Sequence, residues 1–141
     1  MLRRTLLLLT VVALVVAGCS QDDDAASDPA AIATAIVDEW NVVWVDGDID
    51  AIVALFTVDG IYRDPNRTLQ GQDSIRSFAE WMSPRVTYGE RLGEGVPTES
   101  GTFVFPMRFE AHDDMLVGEL EIELAGDLAS RIEWLSWEEE T

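Results

Sequence analysis

From Arg85 onward the apolar residues of this chain recur at every second position, whereas before it they recur at every third or fourth. That change of period constrains the fold more than any other feature, because helices and strands bury their faces with these two different repeats. In the second half Phe103, Phe105, Met107 and Phe109 alternate with Thr102, Val104, Pro106 and Arg108. Beyond a turn at Ala111-His112-Asp113-Asp114, Leu116, Leu120, Ile122 and Leu124 alternate with Val117, Glu119, Glu121 and Glu123. A turn at Ala125-Gly126-Asp127 then opens a last strand, with Ile132, Trp134 and Ser136 expected on one face. In the first half Asp28 is placed to cap a helix that Pro29 begins, carrying Ile32, Ile36, Val37, Trp40, Val43 and Trp44 and ending at Gly47. Asp48 caps a second helix through Ile49, Ile52, Val53, Leu55 and Phe56. Val58-Asp59-Gly60 reads as a turn, Ile61–Asp64 as an extended piece stopped by Pro65, and 66–72 as a loop. Asp73 caps a third helix with Ile75, Phe78, Ala79, Trp81 and Met82. Three helices followed by an antiparallel meander predict one α+β domain over 29–138, with the helices packed on one face of the sheet.

The amino terminus carries a different message. Arg3 and Arg4 precede an apolar run from Leu6 to Ala17, which is too short for a membrane span of about 20 residues. Val16-Ala17-Gly18-Cys19 resembles the lipobox of bacterial lipoproteins. The resemblance implies a signal peptide over 1–18, cleavage before Cys19, a lipid on that cysteine, and attachment to the cell membrane on its extracytoplasmic side. Cys19 is the single cysteine, so no disulfide can form within the monomer. Residues 19–28, with the run Asp22-Asp23-Asp24, read as an acidic tether between anchor and domain.

The charge balance excludes some partners. Nine basic residues, all arginine, stand against 27 acidic ones, for a formal net charge of −18. Removal of residues 1–18 takes away two arginines and no acid. Such a chain is repelled by nucleic acid and by anionic headgroups. It contains no Gly-rich phosphate loop, no serine or cysteine nucleophile motif and no zinc-ligand spacing, so no cofactor and no metal is expected. His112, the only histidine, sits in a turn sequence that needs no chemistry.

Several short elements occur in a characteristic order: Asp38-Glu39-Trp40, Val45-Asp46-Gly47-Asp48-Ile49-Asp50, Ala54-Leu55-Phe56, Asp59-Gly60, Asp64-Pro65 and Gly71. In that order they resemble the SnoaL-like branch of the nuclear-transport-factor-2-like superfamily, over most of residues 30–137. The resemblance implies a cone, in which about three N-terminal helices close one end of a curved antiparallel sheet around an apolar pocket, often in a homodimer. Residues 36–65 are most similar to ketosteroid isomerase, in which an aspartate of the Asp-Pro turn moves a proton beside a ketone. That position falls on Asp64. A carboxylate does this work in a dry pocket, held near the substrate carbon. The family's oxyanion-stabilising tyrosine falls on Trp40 and its second acid near Leu120, so the donors that would stabilise an enolate are missing.

The residues themselves leave alternatives. Asp64 before Pro65 also suits a turn whose carboxylate accepts local backbone N–H bonds, and Tyr62 shares its strand face. Trp40, Trp44, Tyr62, Phe78, Trp81 and Phe105 are candidates for a pocket lining, and equally for an ordinary core. Three functions follow. The first is a membrane-anchored domain that binds a small apolar ligand or serves assembly without catalysis. The second is an isomerase, cyclase or hydrolase with Asp64 as base. The third is an acidic subunit that meets a basic protein partner.

Overall fold

In the computed structural model, which describes residues 28–141, the first helix forms where a cap and an apolar stripe coincide. The Asp28 carboxylate accepts the Ala30 N–H at 3.1 Å, Pro29 occupies the first turn, and α1 runs Pro29–Asp46. Its buried stripe is Ala33, Ile36, Val37, Trp40, Val43 and Trp44, the three–four spacing of an amphipathic helix. Gly47 ends it with φ 71°, a left-handed conformation that glycine adopts without steric cost. Asp48 caps α2 (Ile49–Ala54) by accepting the Ala51 N–H at 3.1 Å. That helix is shorter than expected: Phe56 is the first residue of β1 (Phe56–Asp64), fully buried there. Val58-Asp59-Gly60 is an irregularity within β1 rather than a turn, since pairing breaks between Phe56 and Ile61. The segment read as a loop contains β2 (Arg67–Gln70), paired back onto β1. α3 (Gln72–Met82) starts from Gly71 with no side-chain cap, and Asp73 lies inside its first turn. A 3-10 turn, Ser83–Arg85, leads into the remaining strands, β3 (Val86–Arg91), β4 (Val96–Pro97), β5 (Phe103–Ala111), β6 (Asp114–Ala125) and β7 (Leu128–Glu139).

The sheet has the order β2-β1-β7-β6-β5-β3, with β4 on β5. It is mixed rather than wholly antiparallel, because β1 and β7 run parallel, with Tyr62 opposite Ile132 and Arg63 opposite Glu133. Alternation marks a strand but not its partner. A parallel pair needs a long connection, and here the rest of the sheet and α3 lie between the two strands in sequence. The three helices cover the concave face of this curved, unclosed sheet, and the core of Ile36, Val37, Trp40, Ile52, Phe56, Ile75, Phe105, Met107, Leu120, Ile122 and Ile132 lies between them. Among the described residues no helix is long and apolar enough to cross a membrane.

Two irregularities shape the β6–β7 hairpin. Leu135 and Ser130 have no partner on β6, so the pairing shifts between Glu119 and Leu120 and again between Glu123 and Leu124. An extra residue on one strand bends it and reverses which side chains face the core. Ile132 and Trp134 are buried as the alternation predicts, but Ser136 is exposed and Trp137 takes the inward position. Gly118 lies opposite Trp137, and a Cβ built on it would clash with the Ser136 backbone carbonyl oxygen.

The opposite face of the sheet is ionic. Glu121, Glu123 and Glu133 converge on Arg131, and Glu133 also meets Arg63 at 3.5 Å. Arg108 on β5 pairs with Glu90 on β3 and with Glu140. These charges occupy the central strands, whereas a dimer built on an apolar sheet centre would confine them to the edge. Because the atom that would meet a new Cβ is backbone, Gly118→Ala is expected to cost about 1–3 kcal/mol, read as a lower urea midpoint, with Trp137 emission shifted in the folded state.

Candidate functional site

The helices and the sheet enclose a cavity of about 320 Å³ whose walls are aromatic. Its inner wall is a stack. Tyr62 on β1 lies between Trp40 of α1 and Phe78 of α3, with ring centroids at 6.0 and 5.1 Å and interplanar angles of 19° and 29°. Trp44, one turn after Trp40, meets both Trp40 and Phe78 edge-on. Each such pair contributes about 0.5–1.5 kcal/mol beyond its area burial, so the stack ties both long helices to the strand.

Asp64 sits at the end of this wall, 6% exposed, with both carboxylate oxygens engaged. Oδ1 accepts the Asn66 backbone N–H at 2.8 Å, closing the turn that Pro65 begins. Oδ2 accepts the Tyr62 hydroxyl at 3.1 Å and lies 3.2 Å from Arg67 Nε. That nitrogen is close enough for an ion pair but not aligned for a hydrogen bond. The Arg67 guanidinium lies 4.7 Å above the Phe78 ring and 5.6 Å from that of Trp81, and Arg85 covers Trp81 at 4.8 Å. Burial pushes the Tyr62 hydroxyl well above its ordinary value of 10.0, and the Asp64 charge and hydrogen bond push the same way while Arg67 opposes them.

Of the sequence candidates, Trp40, Trp44, Tyr62, Asp64, Phe78 and Trp81 all line this one cavity. Phe105 does not: it is fully buried in the core between the helices and the sheet, with Gly95 against its ring. Leu120 is likewise fully buried and lies off the cavity. His112 is in the β5–β6 turn, where it and Asp113 have φ values of 55° and 70°, yet its ring reaches the cavity rim 6.0 Å from Trp81. Arg67, Trp137 and Glu139 also line the cavity and went unnoticed in the sequence. Arg67 was hidden by the unrecognised strand β2, and the other two by the bulge at Leu135. The Trp44 indole N–H is buried in the wall without an acceptor. Cys19 and the proposed signal and tether, up to residue 27, lie outside the described residues. Among the described residues no three His, Cys, Asp or Glu side chains stand together as metal ligands.

A cone of three helices on a curved mixed sheet, enclosing an aromatic cavity, places the protein among the nuclear-transport-factor-2-like folds. The chain belongs to the SnoaL-like domain family, which matches residues 37–116. It is similar to a putative isomerase from Bacillus subtilis at 10% identity, TM-score 0.65, over 77% of this chain and 87% of that one. It is similar also to a putative ketosteroid isomerase from Kribbella flavida at 16% identity, TM-score 0.61, over 76% and 80%. A third similar structure is a hypothetical protein of ketosteroid isomerase-like fold from Catenulispora acidiphila in complex with trimethylamine, at 14% identity, TM-score 0.61, over 72% and 84%. No curated protein sequence matches the chain.

The Tyr62 environment predicts an alkaline signature. Above about pH 10 the unfolded chain releases the Tyr62 proton and the folded chain retains it, so stability falls as pH rises through that range. Tyr62→Phe should cost about 1 kcal/mol at neutral pH and flatten the decline, measured as the urea midpoint against pH. The other tyrosine, Tyr88, is also raised by its hydrogen bond with Glu90, and the variant leaves that contribution in place.

Proposed function

We propose that this is a lipid-anchored extracytoplasmic protein whose SnoaL-like domain holds a small, largely apolar ligand without turning it over. The observation that carries the second part is the state of Asp64. A general base needs a lone pair free and aimed at the substrate carbon, and here Tyr62, Arg67 and the Asn66 N–H already hold the carboxylate from both oxygens. Proton transfer by Asp64 would first require Arg67 to leave both its counter-ion and the Phe78 ring. The residues facing the cavity at Trp40 and Trp44 supply apolar surface, Leu120 itself is apolar and lies off the cavity, and the neighbouring Glu121 pairs with Arg131 on the other face of the sheet.

The cavity itself supports binding. Its volume falls within the range of small-molecule sites, and an apolar wall with a few convergent polar groups is their usual composition. The unsatisfied Trp44 N–H costs about 1–3 kcal/mol while unpaired, a cost that an acceptor atom on a ligand removes. One structural neighbour of the same fold is in complex with a small molecule. The anchor rests on the sequence Val16-Ala17-Gly18-Cys19 alone. One acyl chain binds a membrane reversibly and two or more hold it, at about 0.8 kcal/mol per buried methylene.

Native mass spectrometry of the full chain and of Asp64→Asn tests the cavity. A co-purifying small molecule retained by both proteins, with no turnover by the wild type, is the expected result. Loss of ligand conversion on Asp64→Asn, with conversion by the wild type, would instead establish the isomerase or cyclase reading. For the anchor, Cys19→Ser should move the protein from the membrane fraction to the soluble one and abolish incorporation of labelled palmitate. Membrane retention without label would remove the lipid from the account.

A further inference from the structure

The wall opposite α3 is built differently from the rest of the cavity. Phe109 on β5 and Trp134 on β7 lie against one another at 4.4 Å between centroids. Trp137 stands 6.1 Å from each, with its plane turned 72° from Phe109 and 67° from Trp134. Three rings thus form a corner with two walls near a right angle. Glu139, two residues beyond Trp137 on the same strand face, lines the cavity beside this corner, and Asp114, the first residue of β6, lines it as well. The bulge at Leu135 makes this arrangement: without the extra residue, Ser136 and Glu138 would face inward in place of Trp137 and Glu139.

We propose that this corner binds an organic cation, a tertiary or quaternary ammonium group carried on an apolar body. The inference rests on the cavity-binding reading above and assigns the chemical class of its ligand. Ring faces attract a cation through their quadrupole, most strongly when water is excluded, and tryptophan faces do so best. The protein's own cations show the same chemistry on the other wall, where Arg67 and Arg85 stack on Phe78 and Trp81. Among the described residues no arginine stacks on Phe109, Trp134 or Trp137. The acids follow the same division. Asp64 is neutralised by Arg67, whereas Glu139 and Asp114 make no ion pair among the described residues, although Glu140, the next residue after Glu139, holds Arg108. The basic groups that line the cavity, Arg67 and His112, lie toward Trp81. A net charge of −18 draws cations toward the mouth and repels anions from it.

The test compares benzyltrimethylammonium with its uncharged carbon isostere, neopentylbenzene, in calorimetric titrations of the full chain at low salt. The two have nearly the same shape, so their difference reads the charge. The cation should bind at least tenfold more tightly, and Glu139→Gln, an exposed and unpaired position, should weaken the cation about three- to tenfold while leaving the isostere unchanged. Trp137→Leu should weaken the cation further, with far-UV circular dichroism reporting whether the fold is kept. Equal binding of both compounds, or an unaltered cation affinity in Glu139→Gln, overturns the cation inference and leaves the apolar cavity standing. If neither compound binds, the inference fails as well, and the native mass measurement decides separately whether the cavity holds any ligand.

Discussion

Two antiparallel strands of twelve residues each, such as β6 and β7, make a gently twisted ribbon when every residue has a partner. Here Leu135 and Ser130 have none, and the two interruptions bend the ribbon at two points along its length. The concavity that the helices cover depends on that bend. A flat sheet would pack side chain to side chain against α1 and α3, leaving no room between layers. Gly118 is part of the same constraint, because the bulged strand passes where its side chain would be. The bend therefore sets the cavity's depth and, by reversing the parity of β7, also sets which residues line its mouth.

The other side of the cavity is held by rings. Tyr62 is stacked between residues of two helices, so α1 and α3 share one strand residue as their common contact. Its hydroxyl then reaches Asp64, which fixes the β1–β2 turn and with it Arg67. Packing and electrostatics meet in this chain of contacts. The guanidinium is both the counter-ion of a buried acid and the cover of two aromatic faces. The contacts of this acid hold the turn and the guanidinium together, and through them the rings on which the guanidinium packs.

Much of this could be read before any coordinates. The caps at Asp28 and Asp48, the stop at Gly47, and the turns at His112-Asp113 and Gly126 follow from local chemistry, and the structure has them there. The family pattern is also local, carried by short motifs along residues 37–116. The parallel pairing of β1 with β7 was not legible, because alternation reports a strand's faces and not its neighbour. β2 was missed because Arg67-Thr68-Leu69-Gln70 has half-exposed residues and no apolar run. Five of the six aromatic candidates share the cavity because their spacing on α1, β1 and α3 follows regular periods. Trp137 and Glu139 escaped because a bulge breaks the period on which that reasoning depends.

The distribution of charge completes the physical account. A chain with three acids for every arginine loses stability to self-repulsion unless its few cations are well placed. Arg131 gathers Glu121, Glu123 and Glu133 on the outer face of the central strands, and Arg108 gathers Glu90 and Glu140 beside them. Arg91 fastens α1 to β3 through Asp38, and Arg76 joins α3 to α2 through Asp50. Exposed pairs contribute only about 0–1 kcal/mol each, so their importance lies in where they remove repulsion. They relieve the sheet's outer face and the helix junctions. Among the described residues Glu139 and Asp114 at the cavity mouth receive no such partner, and the charge there stands next to a wall of tryptophan and phenylalanine. Both acids are solvent-exposed, so their field acts through water and weakens with salt, while the less exposed rings beside them offer the faces on which a cation is held more firmly.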